Sequence, residues 1–181
     1  MTDFETNLNY SQERSKIEYK HNYRLSIKKA IKKKKGKIVC IPKDVNYSLI
    51  AAKELVEGSE KEVKILCTST FAYCLFSDYS FCIACEDLMN CGKPIKLLMT
   101  DEKPYEKPHL FHFLETYEYF KEYQYKIIPQ DLSKNIKSNY ILFDKSSYLK
   151  IDNDLKGIVS LGDKKTVRQY EKIFDNYWYN I

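Results

Sequence analysis

Apolar residues recur along this chain at helical spacing in some stretches and in short β-like runs in others, and the pattern predicts alternating elements. From about Ser15 to Lys35, Tyr19, Tyr23, Ile27, Ala30 and Ile31 form one stripe opposite a basic face, with Gly36 placed as a C-terminal cap. The run Lys37-Ile-Val-Cys-Ile41 predicts a buried strand, and Pro42-Lys-Asp a turn into a helix from about Asn46 to Glu57 that stops at Gly58. Val63, Ile65, Leu66 and Cys67 mark a second strand within 62–68; a helix over 77–90, ended by Gly92, and a third strand over 95–99 follow.

A polar loop with two prolines, Pro104 and Pro108, precedes a helix expected from about His109 to Glu122, with Leu110, Leu114, Tyr117 and Phe120 as its buried stripe. That stripe accounts for the tyrosine-rich stretch Tyr117, Tyr119, Tyr123 and Tyr125 better than base stacking does. Four short strand-like runs come next, over 125–129, 139–144, 147–151 and 157–161. Gly162 then supplies a turn and Asp163 an N-cap for a last helix that would bury Val167, Tyr170, Phe174, Tyr177 and Trp178. The order predicts an α/β fold, a mixed β-sheet flanked by helices, with an N-terminal basic helical arm at 1–36 and a single domain at 37–181.

With 181 residues, 44% of them hydrophobic, the chain is long enough for one core, and 16 Tyr and 9 Phe argue against disorder. No apolar run approaches the roughly 20 residues of a bilayer span. The opening Met1-Thr-Asp-Phe-Glu-Thr lacks a signal-peptide pattern, so a soluble cytoplasmic protein with no membrane contact is expected. Charge is unevenly divided. Residues 1–36 hold ten Lys or Arg against four Asp or Glu, a net of +6 in a chain whose total is +5. Of the basic residues only Arg14, Arg24 and Arg168 are Arg, a bias that together with the many Asn, Ile and Tyr fits an AT-rich bacterial or phage genome. Lysine offers a mobile point charge, so anion binding here should be salt-sensitive and not base-reading.

Lys28, Lys29, Lys32, Lys33, Lys34 and Lys35 crowd eight positions of the arm. Lysines at a helix C-terminus suit the dipole and often form a solvated face, but this density on the arm with the whole positive excess also suits phosphate contacts to nucleic acid. The six cysteines, Cys40, Cys67, Cys74, Cys82, Cys85 and Cys91, are expected as free thiols. Cys82-x-x-Cys85 shares helical spacing with Phe81, Ala84 and Leu88, which favours core packing over a metal or redox site. Phosphate-cradling glycine loops and the nucleophile elbow are absent. Catalytic imidazoles would have to come from His21, His109 or His112. Asp144, Asp152 and Asp154 fit turns, with a magnesium-binding nuclease centre as the alternative.

Gly58-Ser-Glu-Lys-Glu-Val-Lys-Ile-Leu-Cys and Gly92-Lys-Pro-Ile-Lys-Leu-Leu-Met, separated by a helix, resemble the first half of a phospholipase D-like domain. Asn139-Tyr-Ile-Leu-Phe-Asp144, Gly157-Ile-Val-Ser-Leu-Gly-Asp-Lys and Phe174-Asp-Asn-Tyr-Trp178 resemble that family's catalytic strand and closing helix. The resemblance covers 37–181 and lies in pattern more than in identities. The family signature is His-x-Lys-x4-Asp, whose His attacks phosphorus and whose Lys stabilises the phosphate charge. Anchored on Asp144, it puts Lys137 in the place of the His and Asn139 in the place of the Lys, and Ile151-Asp-Asn-Asp-Leu155 stands where a Gly-Ser-x-x-Asn element would be. An ammonium lacks the lone pair a nucleophile needs, and a carboxamide carries no charge.

The resemblance therefore implies a catalytically inactive binding or assembly module without cofactor or metal, pairing as a homodimer across a two-fold axis. Nucleic acid bound through the arm, in a bacterial defence or mobile-element system, is the leading expectation. The alternatives are a magnesium-dependent or otherwise non-standard nuclease using His109, His112 or the carboxylates, and a structural subunit whose arm docks on an acidic protein partner.

Overall fold

The computed structural model describes residues 3–33, 37–100, 115, 117–134, 136–152 and 155–181, with side-chain environments from residue 13 on. Helix α1 runs Asp3–Lys33, strand β1 Lys37–Ile41, helix α2 Val45–Glu57 and strand β2 Val63–Cys67. Helices α3 (Ser69–Phe76) and α4 (Tyr79–Asn90) precede strands β3 (Ile95–Thr100) and β4 (Tyr123–Ile128). A short α5 (Gln130–Ser133), strands β5 (Ser138–Phe143), β6 (Ser147–Asp152) and β7 (Gly157–Leu161), and helix α6 (Lys164–Asn180) complete the chain.

The strands form one mixed seven-stranded sheet in the order β1-β7-β6-β5-β2-β3-β4. β2, β3 and β4 are parallel, while β5, β6, β7 and β1 join by antiparallel pairs. Strand alternation sends Val63, Ile65 and Cys67 of β2 and Ile95, Leu97 and Met99 of β3 into the core beneath α1–α4. The intervening Leu66 and Leu98 face the other side, where Phe174 and Trp178 of α6 stack at 5.5 Å. The domain is thus three layers, with helices α1–α4 on one face and α6 on the other.

Local chemistry explains most boundaries. Asp44 caps α2 through its carboxylate and the Asn46 amide (2.8 Å), and Asp163 caps α6 through the Thr166 amide (3.1 Å). Gly162 takes the expected left-handed turn at φ 83. Gly58 ends α2 for a different reason than a left-handed cap: its φ is −86, and a Cβ there would meet Ile31 Cγ2 of α1 at 2.9 Å. The absent side chain lets α1 lie against the end of α2.

Four expectations are corrected. β1, expected as a buried strand, is an edge strand of which only Ile41 is buried. The helix expected from Ser15 starts at Asp3. Between the second strand and the helix expected over 77–90, where no element was expected, lies α3, capped by Thr68 through the Phe71 amide; the expected helix itself is α4, capped by Asp78 through the Phe81 amide at 2.8 Å. The helix expected over 109–122 is replaced at its end by turns from Glu118 and by β4 from Tyr123, and most of its start lies outside the described residues. Tyr117 and Tyr123 are buried and 5.4 Å apart, as the core reading requires, while Tyr119 is exposed. Cys82 and Cys85 are buried on α4, Cys67 is buried on β2, and none of the six cysteines is in a disulfide. No helix among the described residues is long and apolar enough to cross a membrane.

Candidate functional site

The positions that the resemblance sets against the family signature lie on or beside β5, at opposite ends of it. Lys137 stands exposed just before the strand and Asn139 is its second residue. Asp144 follows its last residue, about 17 Å from Asn139 at the rise of an extended chain. The three do not form one cluster.

Asn139 is 5% exposed and faces the α1–α4 side, in step with Ile141 and Phe143. Its Oδ1 accepts from the Thr68 amide at 2.8 Å, and its Nδ2 lies 3.5 Å from the Ile151 carbonyl. Thr68 is the N-cap of α3, so Asn139 fastens the end of β2 to the start of that helix. Beside it opens a cavity of about 330 Å³ lined by Thr68, Thr70, Phe71, Asn139, Asp152 and Leu155. Asp152, at the end of β6, accepts the Lys156 amide at 2.9 Å. Neither Lys137 nor Asn139 supplies the cavity with a nucleophile. The polar surface present can bind by hydrogen bonds.

Asp144 has two structural tasks. With Lys145 it forms the centre of a tight hairpin turn, at φ 50 and 58, closed by the Ser146 amide on the Phe143 carbonyl at 3.2 Å. Its carboxylate also accepts from the amides of Glu60 (2.8 Å), Lys61 (2.7 Å) and Glu62 (3.3 Å). The expected strand-turn-strand role is therefore present, with a long-range grip added. Asp144 and Asp152 flank the two ends of β6, too far apart to share a magnesium ion, and Asp154 lies outside the described residues. No cluster of three or more His, Cys, Asp or Glu able to hold a metal occurs among the described residues. His109 and His112 lie outside them, and His21 is exposed on α1.

The lysine cluster divides in two. Tyr23, Ile27 and Ala30 bury one stripe of α1 against the domain, and Tyr23 meets Tyr47 of α2 edge-on at 5.0 Å. Glu54 of α2, 2% exposed, pairs with Arg24 and, at 3.3 Å, with Lys28. Lys28 is thereby tied to the domain, while Lys29, Lys32 and Lys33 project into solvent. Lys34 and Lys35 lie outside the described residues. The carboxylate that holds Lys28 escapes sequence reasoning because its partner is 26 residues away, although a Glu amid the apolar stripe of α2 is a visible anomaly.

No family model and no curated protein matches the chain. Among solved structures it is similar to TrmBL2, an archaeal chromatin protein with a novel mode of DNA binding (TM-score 0.58, 15% identity), over 97% of this chain and 64% of that one. It is also similar to Nuc from Salmonella typhimurium, a phospholipase D family member (TM-score 0.57, 7% identity), over 80% of this chain and 95% of that one. NucT from Helicobacter pylori (TM-score 0.58, 11% identity) is matched over 80% and 96%. The chain thus spans just under two thirds of TrmBL2 and nearly all of the two smaller proteins. The mixed seven-stranded sheet with helices on both faces is a phospholipase D-like fold.

Proposed function

We propose that this chain is a phospholipase D-like module that binds the phosphate backbone of nucleic acid without cleaving it. One observation carries the loss of catalysis: Asn139, at the position of the signature Lys, is buried and occupied in holding the Thr68 amide, while Lys137 stands where the His would be. No His-x-Lys sequence occurs in the chain. A displaced phosphate would meet neither an attacking imidazole nor a neighbouring charge to offset the developing anion.

Binding is supported by the arm. Of its net of +6, +4 lies on helix α1, whose exposed Lys29, Lys32 and Lys33 are unencumbered by the Glu54 pairing that holds Lys28. TrmBL2, described as a DNA-binding chromatin protein, shares the fold over nearly the whole chain, helix included. The 37–181 domain and the 1–36 arm act in this reading as core and contact element, and two copies pair as the family resemblance implies.

The test uses the full chain with labelled single-stranded DNA, double-stranded DNA and RNA, with magnesium and with EDTA. Retained complexes with intact strands are expected; cleavage that survives repurification and is abolished by a substitution in this chain refutes the reading. Sedimentation of the free chain tests the pairing.

A further inference from the structure

The strand register gathers lysines from separate parts of the sequence at one end of the sheet. Lys37, the first residue of β1, pairs with Leu161, the last of β7; Leu161 pairs with Ser147, the first of β6; Ser147 pairs with Phe143, the last of β5; and Phe143 pairs with Val63, the first of β2. The C-terminus of α1 (Lys32, Lys33), the loop before β2 (Lys61) and the N-terminus of α6 (Lys164, Lys165) therefore converge on the end opposite Asn139. All six of these lysines are exposed. A cavity of about 250 Å³ joins these elements, lined by Ile31, Gly58, Lys61, Asp144, Ser147 and Lys164 among others.

The carboxylates at this end are largely engaged. Asp144 accepts three backbone amides, Glu62 faces Lys145 at 3.7 Å, and Asp163 caps α6. Glu60 is the further acid lining the cavity among the described residues. With each carboxylate counted at full charge, Lys32, Lys33, Lys37, Lys61, Lys145, Lys164 and Lys165 still outnumber Glu60, Glu62, Asp144 and Asp163, so a net positive charge extends from the arm across the sheet end onto α6. A helix-terminal patch on α1 alone would give a narrow stripe; this arrangement gives a broad face that can follow successive phosphates.

We infer that this sheet end, built from Lys32, Lys33, Lys37, Lys61, Lys164 and Lys165, is the surface that contacts a nucleic-acid phosphate backbone, and that the cavity beside Asn139 is not. The inference rests on the proposed nucleic-acid binding and adds its location: four of the six lysines, Lys37, Lys61, Lys164 and Lys165, lie outside the arm, and the face lies at the end of the sheet opposite Lys137 and Asn139. Phosphodiester is the recognised chemistry, common to double-stranded DNA, single-stranded DNA and RNA.

The test compares two triple variants of the full chain with equal charge removed. One is Lys61→Gln, Lys164→Gln, Lys165→Gln. The other, at the opposite end, is Lys134→Gln, Lys137→Gln, Lys156→Gln. Fluorescence anisotropy is read on each of the three nucleic acids across a salt series. The first triple should weaken binding roughly ten-fold or more and reduce the slope of log affinity against log salt by about two to three, and the second should change affinity less than about two-fold. Equal losses in both triples, or an unchanged first triple while the parent binds, overturn the inference and leave the proposed function standing. A parent chain that binds none of the three overturns both. Trp178 fluorescence checks folding, and protection of Lys61, Lys164 and Lys165 from acetylation by bound nucleic acid tests the same surface in the unsubstituted chain. Absence of that protection in a saturated complex also overturns it.

Discussion

Replacing Asp144 separates a fastener from a catalyst. In Asp144→Ala the amides of Glu60 and Lys61 lose a charged acceptor at 2.8 and 2.7 Å, and the Glu62 amide loses a longer contact at 3.3 Å. Charge-assisted bonds contribute about 1.5–3 kcal/mol each when buried, and two of these are solvent-facing, so about 1 kcal/mol for each short bond and half that for the third is the appropriate scale. The φ of 50 adds a smaller cost, because alanine tolerates the left-handed region less well than aspartate. The total is about 2–4 kcal/mol, a melting-temperature drop of roughly 5–15 °C for a chain of this size. Asp144→Gly should be about 1 kcal/mol milder, since glycine removes the backbone cost and leaves the lost bonds. The assay is thermal and urea unfolding followed by Trp178, the only tryptophan, which is 7% exposed. A change below about 0.5 kcal/mol for alanine, or glycine worse than alanine, would refute the reasoning.

Other consequences are as direct. Glu54→Gln preserves shape but cancels the pairing with Arg24 and Lys28, whose side chains are each 43% exposed, and should cost about 1 kcal/mol in urea unfolding; a neutral result would mean that these pairs do not hold α1 to α2. With a thiol reagent near neutral pH, Cys40 and Cys91 should react quickly, Cys74 more slowly, and Cys67, Cys82 and Cys85 only after denaturation, because the last three are buried and burial raises their thiol pKa values. Mass mapping that finds Cys82 or Cys85 labelled early would contradict the packing of α4.

Stability should fall at alkaline pH. Burial works against the Lys64 ammonium, but its bond to Asp175 and the charges of Glu62, Asp175 and Glu171 outweigh that and raise its pKa, while burial pushes Tyr170 up to about 12. Both folded values lie above the unfolded ones, so their contribution is fully present below pH about 10 and is lost as pH rises through the folded values. Melting across that range should show the decline, and Lys64→Met should reduce its slope; a flat profile in the parent would contradict the assignment.

Much of the architecture is carried by local signals. Asp163 announces α6 because its cap and the buried Val167, Phe174 and Trp178 are neighbours in sequence. The β2 and β3 runs are legible because parallel strands buried on both faces read as mostly apolar stretches, here broken only by Lys64 and Lys96. α3 was illegible for the opposite reason: residues 69–76 are apolar nearly all round, so no polar stripe sets a helical phase. The first half of α1 has no apolar stripe to betray it.

At the motif positions, chemistry was legible and placement was not. That an ammonium at 137 and a carboxamide at 139 differ from the imidazole and lysine of the family signature is visible in the sequence itself. That Asn139 grips Thr68, 71 residues away, and Asp144 grips amides 82–84 residues away depends on strand pairing that no local pattern encodes. Gly58 shows the same limit: the helix stop was visible, but the reason, room for Ile31, belongs to packing. The converging lysines of α1, the α2–β2 loop and α6 were likewise separate entries in the charge pattern until the sheet brought them to one end.

The most direct test of the central claim measures binding and strand integrity in the same sample. The full chain is titrated at low salt into end-labelled nucleic acid with magnesium, anisotropy is recorded, and the strands are then resolved on a denaturing gel. Saturable, salt-reversible binding with every strand intact is the predicted result. Strand cleavage that co-purifies with the chain and disappears on substitution of one of its residues, or no binding at any salt concentration, contradicts the account.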